Sequence, residues 1–133
     1  MQDIADQHKS IRQRLVDLEE AAKTARGGLE AVTVLLDAMQ EVLARHFIEE
    51  ENSELFVELP GLFPNEAAGI AHLKVEHEHV TNELGNLRRH SRRVGAGFDE
   101  LAGRIDGFVA TLRDHEQREA RLLEMAFLED VGA

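Results

Sequence analysis

The 133-residue chain contains no cysteine, no tryptophan and no tyrosine, and only two prolines, Pro60 and Pro64. Without cysteine there is no disulfide framework, thiolate zinc site, iron–sulfur cluster or cysteine nucleophile, so any metal must be held by histidine and carboxylate. Positive charge is also scarce: 15 basic side chains face 26 acidic ones, for a net charge of −11. Phosphate binding needs clustered positive charge, which argues against a nucleic-acid or anionic-membrane partner. No apolar run approaches the roughly 18 residues of a membrane span, and no basic start leads into an apolar core, so a cytoplasmic protein is expected. A chain of this length buries roughly two thirds of its unfolded surface without a metal or disulfide staple. It is therefore read as one domain over residues 1–133, in which a metal is functional rather than structural.

The breaks fall at the prolines and at Gly27, Gly28, Gly61, Gly95 and Gly97. Between them run four stretches of helical periodicity, about 3–26, 29–58, 65–93 and 98–129, with Asp3 and Asn65 as N-cap candidates. No stretch alternates apolar and polar residues as a strand would. The expected fold is all-α, and short connections between long helices favour an up-down-up-down antiparallel four-helix bundle.

Positions spaced alternately three and four apart define the inward seam of each helix. The first gives Ile4, His8, Ile11, Leu15 and Leu18; the second Val32, Leu36, Met39, Leu43, His46 and Glu50. The third gives Ile70, Leu73, His77, Val80, Leu84 and Leu87, and the fourth runs from Phe98 through Leu112 to His115, Glu119 and Leu122. Four histidines and two glutamates thus occupy core-facing positions. A shift of 69 residues lays His8, His46 and Glu50 on His77, His115 and Glu119, and apolar seam positions on apolar ones. This pseudo-repeat implies approximate twofold symmetry and two near-equivalent cation positions, with two histidines each and both glutamates shared.

Residues equally far from a connecting turn lie at one level of antiparallel helices, with about 1.5 Å of rise per residue. Counted from Gly27, Gly61 and Ala96, all four histidines converge on one level. Left unpaired there, each polar group costs on the order of 1–3 kcal/mol. Two divalent cations satisfy them, and histidine–carboxylate ligation with open positions suits iron best, with manganese, zinc or cobalt also accepted. The competing reading is a metal-free hydrogen-bonded His–Glu layer. The apolar layers on either side, Ile4 and Leu73, then Ile11, Leu43, Val80 and Leu112, offer no proton donor and suit a small uncharged ligand.

These residues resemble the hemerythrin-like, or HHE cation-binding, family over essentially the whole chain. The carriers are Gln7-His8-Lys9-Ser10-Ile11-Arg12, His46-Phe47-Ile48-Glu49-Glu50 followed by Leu55-Phe56, Glu76-His77, and His115 with Glu119 and Leu122. The resemblance implies the ligands His8, His46, Glu50, His77, His115 and Glu119. It also implies two iron ions bridged by oxo or hydroxo groups, with manganese or zinc as substitutes. Oxygen carriers of the family have a second histidine on helix three and an aspartate five residues after the helix-four histidine. Leu73 and Thr81 flank His77 at that spacing here, and Ala120 follows His115 by five. The implied role is therefore binding or sensing of dioxygen, nitric oxide or peroxide, with a peroxide-removing or nitric-oxide-handling enzyme as the alternative.

Other signals are weaker. His72, His79 and His90 lie off the seam and are expected at the surface, as are Glu49 and Glu51. Ala71-His72-Leu73-Lys74 is loosely similar to a phosphotransfer histidine, which would make the chain a metal-free signalling bundle. A ferritin-like site needs a pair of Glu-x-x-His turns, and the lone one, Glu76 and His79, is expected to point outward. The cluster Arg88, Arg89, Arg92 and Arg93 is expected as a solvated helix C-terminus.

Overall fold

A computed structural model describes residues 4–24, 28–93 and 97–132, the side chains of residues 4, 5 and 126–132 excepted. Asp3, Gly27, Gly95 and Ala96, and the side chain of Ile4, lie outside the described residues. The described residues are helical with no strand: α1 (Ile4–Thr24), α2 (Gly28–Glu51), α3 (Glu54–Val57), α4 (Leu59–Leu62), a 3₁₀ turn (Pro64–Glu66), α5 (Ala67–Ser91) and α6 (Phe98–Gly132). The four long helices form a ring in which α1 touches α2 and α6, and α5 touches α2 and α6. None of the described helices is long and apolar enough to cross a membrane.

Apolar residues at three-and-four spacing dictate this packing. Leu15, Leu18, Val32, Leu36, Met39, Ile105 and Phe108 are 0% exposed, and Leu84, Leu87, Leu101 and Leu112 join the same cluster. Each fully buried large side chain of this kind contributes about 1.5–3 kcal/mol. Gly28 opens α2 with φ 64, in the left-handed region that glycine enters without a Cβ clash. At the far end of α5, Arg88 donates to Asp37 of α2 over 2.9 Å and Arg92 pairs with the same carboxylate. These arginines are thus ion-paired across to α2 rather than merely solvated, and the Arg88 hydrogen bond leads in holding the Asp37 carboxyl below its ordinary value.

Two expectations are corrected. The second helix does not run to residue 58: α2 ends at Glu51, and the chain reaches α5 through two single-turn helices and the 3₁₀ turn. Beyond Glu50 the apolar seam ends, so nothing holds a straight continuation against the core. Ser53 instead starts a new turn, and Pro60 and Pro64 sit where each new turn begins. Nor does Asn65 cap the third long helix. It lies within the 3₁₀ turn, and Glu66 occupies the N-cap of α5 without a side-chain cap bond.

Candidate metal centre

The four helices bring all six candidate residues together. His46, Glu50, His77, His115 and Glu119 are 1–4% exposed, while the His8 side chain keeps 24%. Histidines pair by helix couple: the rings of His8 and His46 lie 4.7 Å apart, those of His77 and His115 4.9 Å. Their Nε2 atoms face the glutamates. His8, His46 and His77 approach Glu50 oxygens at 3.2, 3.0 and 2.9 Å, and His8 and His115 approach Glu119 oxygens at 3.6 Å. Two groups with ligand atoms within 4.8 Å of one another result: Glu50, His77, His115 and Glu119, and His8, His46 and Glu50. Glu50 belongs to both. One group holds four residues and the other three, and His8 also reaches Glu119 at 3.6 Å.

The opposite ring nitrogens explain what these rings present inward. His46 Nδ1 donates to Gln7 Oε1 over 2.8 Å, His77 Nδ1 to Glu51 over 3.0 Å and His115 Nδ1 to Glu76 over 2.9 Å. A neutral imidazole that donates from Nδ1 has only a lone pair at Nε2. Where a ring is neutral, its Nε2 lone pair thus faces a carboxylate oxygen. Glu50 Oε1, His77 Nε2 and His115 Nε2 are buried without a hydrogen-bond partner, although the first two lie 2.9 Å apart. Converging buried acceptors need a positive charge between them, a proton or a cation.

The carboxyls respond to this crowding in opposite ways. Burial favours the neutral form at both. At Glu50, the close imidazoles of His46, His77 and His8 outweigh burial and hold the carboxyl well below the usual range. At Glu119, burial and the neighbouring Glu50 carboxylate push the carboxyl up to about 10. Burial also keeps the His115 imidazolium below its ordinary range, despite the opposing hydrogen bond to Glu76.

Several site residues escape seam reasoning. Gln7 is 7% exposed, Glu51 and Glu49 turn toward the site rather than away, and Glu76 faces His115 instead of solvent. Gln7 and Glu76 had a signal available, because the 69-residue shift that pairs His46 with His115 also pairs these two. Phe47, 5% exposed, stacks on His77 with centroids 4.0 Å apart and planes 12° off parallel, and Phe56 approaches the same ring at 5.4 Å. His72 and His79 lie at the surface, 66% and 71% exposed. His90 does not: it is 6% exposed, and both ring nitrogens lack a hydrogen-bond partner. The seam simply continues, three residues past Leu87.

The flanking layers are apolar as expected, with Ile11, Leu43, Leu73, Val80 and Leu112 at 1–2% exposure. Beside them, Glu116 of α6 is partly buried, and burial holds its carboxyl above the ordinary value against the opposing charges of His8 and Arg12. It lines a cleft of about 430 Å³ between α1 and α6 with Arg12 and Ala120.

Two buried His/Glu groups on a ring of helices are what a cation-binding bundle requires. A family model described as the hemerythrin HHE cation binding domain matches residues 1–127. The chain belongs to this family. No curated protein and no solved structure matches it detectably. As a hemerythrin HHE domain the chain is a metal-ion-binding protein, with iron the metal its family implies, and the buried His/Glu groups fit that role. Their donor set, imidazole nitrogen and carboxylate oxygen with no thiolate, suits iron, manganese or zinc.

Proposed function

We propose that this chain is a single, up-down-up-down hemerythrin-like bundle that holds two iron ions with His8, His46, Glu50, His77, His115 and Glu119. At that site it binds or senses a small molecule, dioxygen, nitric oxide or peroxide. The observation that carries this reading is the convergence of four imidazoles and two carboxylates on one buried site, where Glu50 Oε1, His77 Nε2 and His115 Nε2 lack a hydrogen-bond partner among the described residues. A metal-free polar layer would satisfy these three atoms by hydrogen bonds, as buried polar groups normally are. When bound, the metals supply Lewis acidity and electrons to a ligand. The chain's own residues orient the imidazoles, keep the pocket dry through Leu73, Val80 and Leu112, and exclude bulky or charged molecules.

Metal analysis after reconstitution with iron, manganese or zinc tests the reading. Two metals per chain are expected, and a folded preparation holding less than one overturns it. His46→Ala or His115→Ala should each lose metal, whereas His72→Ala and His79→Ala should keep the wild-type amount. Ligand binding is read from changes in the visible spectrum of iron-loaded protein on adding nitric oxide or peroxide.

An enzymatic reading at the same site, peroxide removal or nitric-oxide handling, is favoured by the position of Glu116. Peroxide removal needs a proton donor, and Glu116 places a partly buried carboxyl in the α1–α6 cleft. Peroxide consumption that falls in Glu116→Gln at unchanged metal content would support it.

A further inference from the structure

The two halves of the site differ in what stands behind the histidines. Under the 69-residue shift, Gln7 corresponds to Glu76, Glu49 to Arg118 and Arg45 to Asp114. Each half runs from a histidine through one side chain to a second, with different charges along the way. In one, His46 donates to the neutral amide of Gln7, whose Nε2 donates to Glu49. In the other, His115 donates to the carboxylate of Glu76, which is paired with Arg118. The third contact has no counterpart among the described residues: His77 donates to Glu51, but the position equivalent to Glu51 is Ala120 of α6.

We propose that the two cation positions fill in order, the His77/His115 position first, and that Gln7, Glu51 and Glu76 set this order as positioning residues. The inference rests on the dinuclear reading above and concerns how its two positions differ. A carboxylate that accepts the Nδ1 proton fixes the ring and raises the basicity of Nε2 more than a neutral amide does, and losing such an outer partner typically costs about 10–100-fold in metal affinity. The His77/His115 position has two carboxylate partners, the His8/His46 position one amide. The modifying charges narrow the contrast, since Arg118 draws on Glu76 and Glu49 enriches Gln7. They leave the Glu51 contact, where Lys74 stands 3.9 Å from the carboxylate. Two further features act in the same direction: four candidate ligands converge at the first position against three at the second, and His8 is the one open to water.

Zinc ion is the probe, added stepwise to the metal-stripped full chain while the imidazole nitrogen signals are followed by NMR. The His77 and His115 signals should change over the first equivalent, those of His8 and His46 over the second. Glu76→Gln combined with Glu51→Gln keeps shape and hydrogen-bonding capacity but removes charge, and should weaken the first step about tenfold or more with the second little changed. Gln7→Glu combined with Glu49→Arg copies the other half's arrangement and should strengthen the second step. A merely structural role would shift the unfolding temperature of metal-free protein without changing which histidines respond first. Two zinc ions bound with the order reversed, or with all four histidines responding together, overturns ordered filling and leaves the dinuclear reading intact. No zinc bound at all overturns both.

Discussion

At the residue scale, the informative histidine outside the site is His90. Buried at 6% exposure with neither ring nitrogen hydrogen-bonded among the described residues, and Glu100 no nearer than 4.0 Å, it costs the fold an unsatisfied polar group. Replacement by an apolar side chain of similar size removes that cost, which is on the order of 1–3 kcal/mol. His90→Leu should therefore raise the denaturation midpoint by an amount equivalent to about 1 kcal/mol and leave metal content unchanged. A lower midpoint would mean that the ring is held by a group it does need. The six candidate ligands were legible because each falls at a seam position where an apolar residue is expected. Seam spacing missed Gln7, Glu51 and Glu76, since they sit one residue from a seam position and reach the site by the length of their side chains; the 69-residue shift marks only Gln7 and Glu76. Phe47 was hidden for the same reason, and its burial comes from packing on His77.

At the scale of elements, two kinds of glycine contrast within the long helices. Gly107 of α6 is exposed and a Cβ there would meet nothing within 4 Å, whereas one on Gly69 of α5 would lie 3.0 Å from Leu122 Cδ2. Gly107→Ala should stabilise by about 0.5–1 kcal/mol, the ordinary helix preference. Gly69→Ala should gain less or lose stability, because Leu122, three residues past Glu119, must yield. Urea denaturation of the two variants compares them directly, and an equal gain would show that Leu122 moves freely. The four long helices were readable from periodicity over many turns. The end of α2 was not, because the segment after Glu50 keeps apolar residues such as Leu55 and Phe56 while abandoning the spacing that a straight helix needs.

For the whole molecule, the opposed carboxyls make stability and metal binding depend on pH with a definite sign. Glu119, raised from 4.5 to about 10, contributes stability that is fully present below 4.5 and is lost as pH rises through 10. Glu50, lowered, contributes stability present above 4.5 and lost as pH falls. A cation held by these carboxyls would take the place of the Glu119 proton, so binding would release protons and strengthen as pH rises. The metal-free chain therefore loses the Glu119 contribution over the range in which the loaded chain gains from binding. Thermal unfolding with and without saturating zinc should show a gap that widens from about pH 6 to about pH 8, and a constant gap would show that no proton is displaced.

The interruption between α2 and α5 carries Phe56, which leans on the His77 ring, and Leu55, which is buried. One wall of the site thus belongs to single-turn helices, whose few backbone hydrogen bonds open more easily than those of a long helix. Amide hydrogens between residues 54 and 66 should exchange with deuterium faster than those of α2 and α5, and slow when zinc binds. The rate at which a chelator extracts zinc should follow the opening of this short stretch, not the unfolding of the bundle. The chain would then surrender its metal on a timescale set by thirteen residues while the rest stays folded.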